Sequence, residues 1–456
     1  MKNTCEEDDC SRIVVERFFG AEKRFCRKSG VNQTFLNYFG AALKKIKVVH
    51  LVAGSLSGGA ARGAYWLHKG LLGHGVESHV ITNHHDDLND PTVTSLSTSK
   101  FRRIISLIVG QLDSLLLLIF PKRKNRIFST GFFGLNYKAN LHFKEADIVH
   151  LHWVNGLVST RSVKGINKPV VWSIRDMWPI TGGCHYSLDC EKYKSGCGAC
   201  PQLNGGLGID FTKLTAKAKK KSFKKVNAVG ISEWITSEVN KSFIFGEGRA
   251  VTINNNVDCS LFFSIEKDVA RQVLGIHTKK KIILTGSTNV EDFYKGFSLF
   301  LDSLKYLNKD DYFLCVFGKA DISSLESTGL EFKALGYLND DISMRLAYNV
   351  ADVFVAPSVQ EAFGKTLIES LACKTPVVCF DATGPAGIIE DRVDGYKAIP
   401  FQPEDLARGI DWILHKSDYK SLSEAARRSA LNKFDSAVIA EKYIDLYSDL
   451  VPKDVT

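Results

Sequence analysis

Two glutamates eight residues apart, Glu361 and Glu369, stand on either side of Gly364 in the stretch DVFVAPSVQEAFGKTLIESLACKTPVV, Asp352 to Val378. The stretch reads as strand, loop, helix, strand, with the glycine close to the helix start. A loop that enters a helix through glycine offers free backbone N–H groups and the positive end of the helix dipole, which suits phosphate. Were the whole segment helical, eight residues would rise ~12 Å, about the reach of a sugar, a pyrophosphate and a ribose in a row. The chemistry implied is recognition of a nucleotide sugar, with a carboxylate for hydroxyls at each end and amides between them.

A second group of reactive residues lies in TGGCHYSLDCEKYKSGCGACPQL, Thr181 to Leu203. Cys184, Cys190, Cys197 and Cys200 fall within seventeen residues, spaced C-x5-C-x6-C-x2-C, with His185 beside the first. Thiolates at such spacing can close a tetrahedral zinc site. Buried metal-free thiols and a redox or iron–sulfur role are the other readings. The opening residues, MKNTCEEDDC, are acidic and polar where a secretory signal needs a basic stub and an apolar run, so a cytoplasmic location is expected. There, eleven cysteines argue for thiols or metal ligands and against a disulfide framework.

The elements that must carry these groups follow an α/β pattern. With 456 residues, 45% of them hydrophobic, the chain can bury a full core and is long enough for two or three domains. A β-loop-α-β unit begins at Lys47, and further strands are expected at Asp147–Trp153, Lys168–Ile174 and Asn227–Ser232. A second series follows at Lys281–Ser287, Tyr312–Gly318, Phe332–Tyr337, Asp352–Ser358 and Thr375–Phe380. The reading is an N-terminal extension over 1–45, a Rossmann-like domain over 46–248 with the Cys-rich insertion 181–203, a second Rossmann-like domain over 249–435, and a final helix over 436–456. Two serial doubly wound domains place a ligand cleft where the carboxyl ends of their sheets face each other.

Charge is uneven. Residues 1–248 hold 35 Lys and Arg against 20 Asp and Glu; the remainder hold 24 against 30. The basic runs include KFRR (Lys100–Arg103), PKRKNR (Pro121–Arg126) and KLTAKAKKKSFKK (Lys213–Lys225). A solvated face or attraction to an anionic membrane or phosphate-bearing substrate would account for them. Nucleic acid is excluded as a partner, because the runs lack interleaved aromatics and no nucleic-acid module is recognisable. The first two runs bracket IISLIVGQLDSLLLLIF, Ile104–Phe120, which is too short and too polar to span a bilayer. It reads either as a core or flap helix or as one lying in a membrane interface.

EAFGKTLIE resembles the E-x7-E motif of retaining glycosyltransferases, and the whole donor segment is similar to that of glycosyltransferase family 4. The likeness runs from Lys47 to the C-terminus in order: Gly58 and Gly59, ISEW (Ile231–Trp234), NNNVD, Lys295-Gly296, and DATGPAGIIEDRVDGY. It implies the GT-B fold, two Rossmann-like domains facing across a cleft. By resemblance Glu369 binds the ribose and Glu361 the donor sugar. The backbone of Phe363, Gly364, Thr366 and Leu367 holds the pyrophosphate, Lys295 stabilises the leaving diphosphate, and Gly58 and Gly59 line the cleft. Arg175, in RDMW, stands where relatives carry a histidine facing the donor sugar, and completes a catalytic set with Glu361 and Lys295. Arginine can replace some hydrogen bonds of that histidine but cannot titrate near neutral pH. A second family cation, an Arg before the Lys, is replaced in TGSTNVEDFYKGF by Ser287 and its neighbours.

The resemblance implies same-face sugar transfer from a nucleotide donor to a lipid-linked or oligosaccharide acceptor in surface polysaccharide synthesis. No cofactor is required for catalysis, and the inner face of the cell membrane is the place of work. It also makes the cysteine segment a subgroup feature near Arg175. A catalytically impaired nucleotide-sugar-binding protein is the alternative, with Arg175 and Ser287 as its support.

Overall fold

The computed structural model describes residues 45–451 except 57, 85–88, 125–126 and 205–209. The extension expected over 1–45 therefore lies outside the described residues apart from Lys45. Strands β1 (Lys47–Val52), β2 (Glu77–Thr82), β3 (Val93–Ser95), β4 (Ile148–Leu151), β5 (Val170–Ile174), β6 (Val226–Gly230) and β7 (Ala250–Thr252) form one parallel sheet in the order β3-β2-β1-β4-β5-β6-β7. A second parallel sheet takes β8 (Lys281–Asn289), β9 (Tyr312–Lys319), β10 (Glu331–Gly336), β11 (Val353–Ala356), β12 (Val377–Phe380) and β13 (Gly395–Ala398) in the order β10-β9-β8-β11-β12-β13. The central strands are buried along nearly their whole length, as continuous apolar runs covered by helices on both faces require.

Strand order reverses between β1 and β4 in the first sheet and between β8 and β11 in the second. Such switch points open a crevice beyond the strand ends. The chain leaving β1 carries Gly58 and Gly59, that leaving β4 carries Trp153, and that leaving β5 carries Arg175. In the second sheet Lys295 follows β8 and Glu361 follows β11. One correction concerns the boundary expected between 248 and 249: Ala250–Thr252 pairs with β6, through Ala228, Val229 and Gly230, so the first sheet runs past it.

Six helices matter below: α1 (Gly59–Gly73), α2 (Lys100–Leu116), α3 (Thr212–Ser222), α4 (Asp341–Val350), α5 (Lys365–Ala372) and α6 (Ser436–Leu450). The last returns to the first lobe. Ile439, Ala440, Tyr443 and Tyr447 recur at helical spacing and are buried with Leu67 and Leu71 of α1 and with Val48, Ile148 and Val171. Gly70 of α1 permits this crossing, since a Cβ there would come within 2.6 Å of the Ser436 carbonyl oxygen. The segment expected as a core, flap or interfacial helix forms α2, which lies on the surface with much of its apolar side exposed.

Candidate active site

Close packing of strand ends builds the second-lobe half of the site. Gly296 adopts φ +66° where a Cβ would lie 2.0 Å from the Pro357 carbonyl oxygen, so the turn after β8 rests on the loop after β11. That contact sets the Lys295 ammonium against the Glu361 carboxylate in a direct ion pair. The Glu361 backbone is fixed from behind: its N–H donates to Thr383 Oγ1 at 3.3 Å and its carbonyl accepts from Gly384 N–H at 2.9 Å. Gly364, at φ +105°, then turns the chain into α5. Phe363, Gly364 and Thr366 line the cavity in front of the ion pair. Leu367 does not: its side chain is buried and its N–H donates to the Gly364 carbonyl at 3.0 Å, so of the expected phosphate-binding amides this one is spent on the helix start.

Across the cavity stands Arg175. Its guanidinium donates to Asn255 Oδ1 at 2.9 Å and to His152 Nδ1 at 3.3 and 3.2 Å, both neutral acceptors. The adjacent Asp176 is turned away, accepting from Trp153 Nε1, the Trp178 N–H and His185 Nδ1. Burial pushes the Arg175 guanidinium down to about 10, which still leaves it charged at neutral pH. The cavity therefore holds a cation without a carboxylate partner among the described residues.

His152 belongs to a buried trio with His50 and His150, whose ring nitrogens lie within 4.8 Å of one another, close enough to suggest a metal site. The hydrogen bonds argue otherwise. Arginine only donates, so His152 Nδ1 accepts and its Nε2–H donates to His50 Nδ1 at 2.9 Å. Both nitrogens of His150 are taken, by Tyr447 and Ser173. One nitrogen of the trio, His50 Nε2, is left unbonded. Burial holds all three imidazoles well below their usual value and hence neutral. The trio is a support for Arg175.

Glu369 is placed differently from the expectation of a ribose ligand facing the cleft. Its side chain is 1% exposed, and both oxygens are engaged. Arg62 of α1 donates to Oε1 at 2.8 Å and also to Asp341 at 2.8 Å, Lys365 lies 3.1 Å from Oε1, and Tyr348 donates to Oε2 at 2.8 Å. Burial pushes the Glu369 carboxyl up, but Lys365, Arg62 and the Tyr348 hydroxyl outweigh it and hold the group below its usual range. Burial, then Arg62, push the Lys365 ammonium down to about 7, which makes Arg62 the steadier counter-charge.

The cavity measures about 400 Å³ and is shared by the two lobes, with Gly59, Trp153, Arg175 and Asn255 on one side and Lys295, Glu361 and Gly364 on the other. Gly58 precedes α1 and is not among the lining residues. The Cys-rich insertion closes one end. Tyr186 stacks on Tyr294 at 3.9 Å between centroids, and Gln360 accepts from the Leu188 N–H at 2.9 Å and donates to Ser187 Oγ at 3.1 Å. The insertion thus touches the immediate neighbours of both Lys295 and Glu361.

The four cysteines are free thiols around a pocket of about 20 Å³. Backbone N–H groups point at two of the sulfurs: Gly182 at Cys197, 3.1 Å, and Gln202 and Leu203 at Cys200. Among the described residues no three of the sulfurs approach one another within 4.8 Å, so the set is gathered but not closed. Lys219 of α3 fastens the start of the segment, donating to the carbonyls of Trp178 at 2.5 Å and Thr181 at 3.0 Å.

Sequence reasoning missed Arg62, Gln360, Asn255, His152 and the Tyr186–Tyr294 stack, each of which acts through a partner 80 or more residues away. Gly63 carried a signal, lying one turn into α1 where a Cβ would come within 3.0 Å of Arg175 Nη1 and 2.9 Å of Asn255 Oδ1.

Two parallel Rossmann-like lobes with a polar cavity at their facing carboxyl ends constitute the GT-B fold of glycosyltransferases. Residues 266–429, most of the second lobe, match the family model of glycosyl transferases group 1, and that part of the chain is a group 1 glycosyltransferase domain. The chain is 23% identical over 428 residues to WcaC of Escherichia coli K12, a candidate colanic acid biosynthesis glycosyl transferase, covering 86% of this chain and 97% of that one. It is 30% identical over 181 residues to the N,N'-diacetylbacillosaminyl-diphospho-undecaprenol alpha-1,3-N-acetylgalactosaminyltransferase of Campylobacter jejuni, covering 39% of this chain and 46% of that one. Among solved structures, Anabaena HepE in complex with UDP-glucose superposes with a TM-score of 0.60 at 16% identity, over 89% of this chain and all of that one.

Removing Arg62 leaves a carboxylate buried with a weakened counter-charge. Arg62→Met is expected to destabilise the protein by about 3 kcal/mol, read from the urea midpoint. Glu369 titrates below its usual value of 4.5 when folded, so its contribution is present above pH 4.5 and is lost as pH falls through the folded value. Unfolding curves between pH 3 and 7 (roughly the carboxylate range) should show Glu369→Gln less stable than wild type at neutral pH and the difference shrinking in acid.

Proposed function

We propose that this protein transfers a sugar from a nucleotide-diphosphate sugar, with retention of anomeric configuration, to a lipid-linked saccharide in polysaccharide or glycoconjugate biosynthesis at the cytoplasmic face of a membrane. The observation that carries the reading is the Lys295–Glu361 ion pair at the mouth of the Gly364 turn, opposed across one cavity by an Arg175 that has no anion of its own. An incoming diphosphate would take Lys295 from Glu361, leaving the carboxylate to accept from donor hydroxyls. The α5 start and Lys295 would then hold the charge that develops on the leaving diphosphate.

The acceptor hydroxyl must lose a proton. Arg175 cannot take it; in the retaining, same-face reading the departing diphosphate oxygen receives it on the face of the sugar from which it leaves. The protein's part is to orient both substrates and to stabilise charge in a site closed by two lobes. Glu369 would meet the ribose only after Arg62 yields to it. The named ligand of HepE, UDP-glucose, and the diphospho-undecaprenol in the name of the Campylobacter relative support these donor and acceptor classes.

A second reading, binding without catalysis, draws on Arg175 standing in place of an imidazole. Turnover separates the two. With a panel of UDP-, GDP- and TDP-sugars and a membrane lipid extract as acceptor source, one nucleotide is expected to be released only when extract is present. Glu361→Ala and Lys295→Ala should each lower that rate by about 10² to 10³. Donor binding with no release under any acceptor would favour the second reading, and Arg175→His would then be expected to restore release.

The cysteine set is further proposed to hold a structural zinc through Cys184, Cys190, Cys197 and Cys200. Burial raises the Cys197 and Cys200 thiols, but the backbone N–H groups aimed at both sulfurs favour thiolates, and the buried Lys219, which burial pushes down to about 7 against the upward pull of the nearby cysteines, would offset part of the negative charge four thiolates carry. Catalysis would not depend on the metal directly. Metal analysis of the purified protein should find one zinc per chain, lost in Cys197→Ser; protein without zinc whose stability is indifferent to Cys197→Ser would contradict this.

A further inference from the structure

Helix α2 breaks three local rules at once. Phe101, Ile104, Leu107, Ile108 and Leu115, with Leu118 and Ile119 just beyond its end, are all between 53% and 71% exposed. Five of them, at 101, 104, 108, 115 and 118, share one side of the helix by spacing, so the exposure is a continuous apolar stripe. Its first turn carries Lys100, Arg102 and Arg103 and no acid, although cations are disfavoured at a helix N-terminus. The sole carboxylate between 100 and 124, Asp113, is turned inward, where it accepts from the Thr130 N–H at 2.8 Å, the Gly131 N–H at 3.1 Å and the Thr130 hydroxyl. Rules broken together at one element without local compensation mark a functional surface.

What remains outward carries no acid: the exposed side chains are apolar or cationic, with Gln111 the neutral polar one. Lys122 and Lys124, both exposed, add positive charge past the far end. Leu117 and Phe120 pack with Phe128, Cys184 and Leu203, which fastens the helix end to the Cys-rich segment and holds the stripe in place. At seventeen residues α2 is about 25 Å long. Among the described residues no helix is long and apolar enough to cross a membrane. A helix with this stripe and these flanks lies in an interface.

We propose that α2 and the turn after it, residues 100–124, dock the protein on an anionic lipid bilayer, with the apolar stripe among the acyl chains and the flanking lysines and arginines on the headgroups. The surface is the one on which the lipid-linked acceptor of the proposed function would be met. A groove of about 760 Å³ runs from Arg103, Ser106, Leu107 and Gly110 of α2 to Gly54 just past β1, offering a path from the headgroup region toward the first-lobe strand ends. Complementarity decides among occupants: a cationic stripe margin with no outward acid suits a negatively charged surface.

The test is co-sedimentation of the full chain with vesicles of phosphatidylcholine alone and of phosphatidylcholine mixed with phosphatidylglycerol. Two variants run alongside, Ile104→Glu/Ile108→Glu for the stripe and Lys122→Glu/Lys124→Glu for the flank, with circular dichroism and nucleoside diphosphate binding as checks that the fold and donor site are intact. Wild type is expected to sediment with the phosphatidylglycerol vesicles. Without phosphatidylglycerol, or with either variant, binding should fall at least about tenfold, and high salt should weaken it as well. Wild type left in the supernatant, or variants sedimenting as wild type does, overturns the proposal. A stripe variant that turns an oligomer into a monomer without changing vesicle binding would overturn it in favour of a second copy of the chain. Because donor binding is measured separately, failure of the docking surface is distinguishable from failure of the glycosyl-transfer reading.

Discussion

The loop from Gln360 to Gly364 is gripped by the opposite lobe, and the site depends on that grip. The Gln360 amide exchanges hydrogen bonds with Leu188 and Ser187, and the Ala362 carbonyl accepts from Ser232 Oγ at 2.6 Å. A few residues on, Arg62 reaches across to Glu369. These bonds leave the Lys295–Glu361 pair in a cavity walled by both lobes, where charge is screened less than at a surface. A polar bond of this kind contributes little net stability when exposed, but a buried one left unmade is costly, so the set fixes one relative placement of loop and lobe.

The same logic organises the cations. Lys295 and Arg62 each have a carboxylate, whereas Arg175 has only neutral acceptors, with a chain of buried imidazoles behind it. The Arg175 guanidinium lies on the wall facing the Gly364 turn. A cation without a carboxylate partner at this wall is complementary to a ligand group that brings negative charge, as a diphosphate does. The Cys-rich segment enters as a strut: it stands against Tyr294 and Gln360, the neighbours of Lys295 and Glu361, while Lys219 and the end of α2 fasten its other side.

Much of this was legible in the sequence, for identifiable reasons. Buried parallel strands read as continuous β-branched runs, and the glycine-led helix start announced itself by composition, so both lobes and the Glu361–Gly364 turn were in place beforehand. β7 was assigned to the wrong side of the boundary because a three-residue edge strand carries no periodicity of its own and is defined by its pairing with β6. Glu369 kept its position but not its surroundings: spacing along a helix says which face a carboxylate occupies, and nothing about Arg62, 307 residues away, arriving to cover it. Leu367 was expected to offer its amide and instead closes a tight first turn. The ambiguous apolar run at 104–120 could not be settled by hydropathy, since a core helix and an interfacial one share a moment; Asp113, paired inward with Thr130 and Gly131, decides which side faces out.

Calorimetric titration of nucleoside diphosphates into wild type and Lys295→Gln asks one thing, whether the cavity between the lobes is a diphosphate site. One of UDP, GDP, ADP or TDP is expected to bind wild type at one site per chain and to bind Lys295→Gln at least about tenfold more weakly, as loss of a charge-assisted hydrogen bond requires. Absence of binding by all four, or an affinity that Lys295→Gln leaves unchanged, would contradict it.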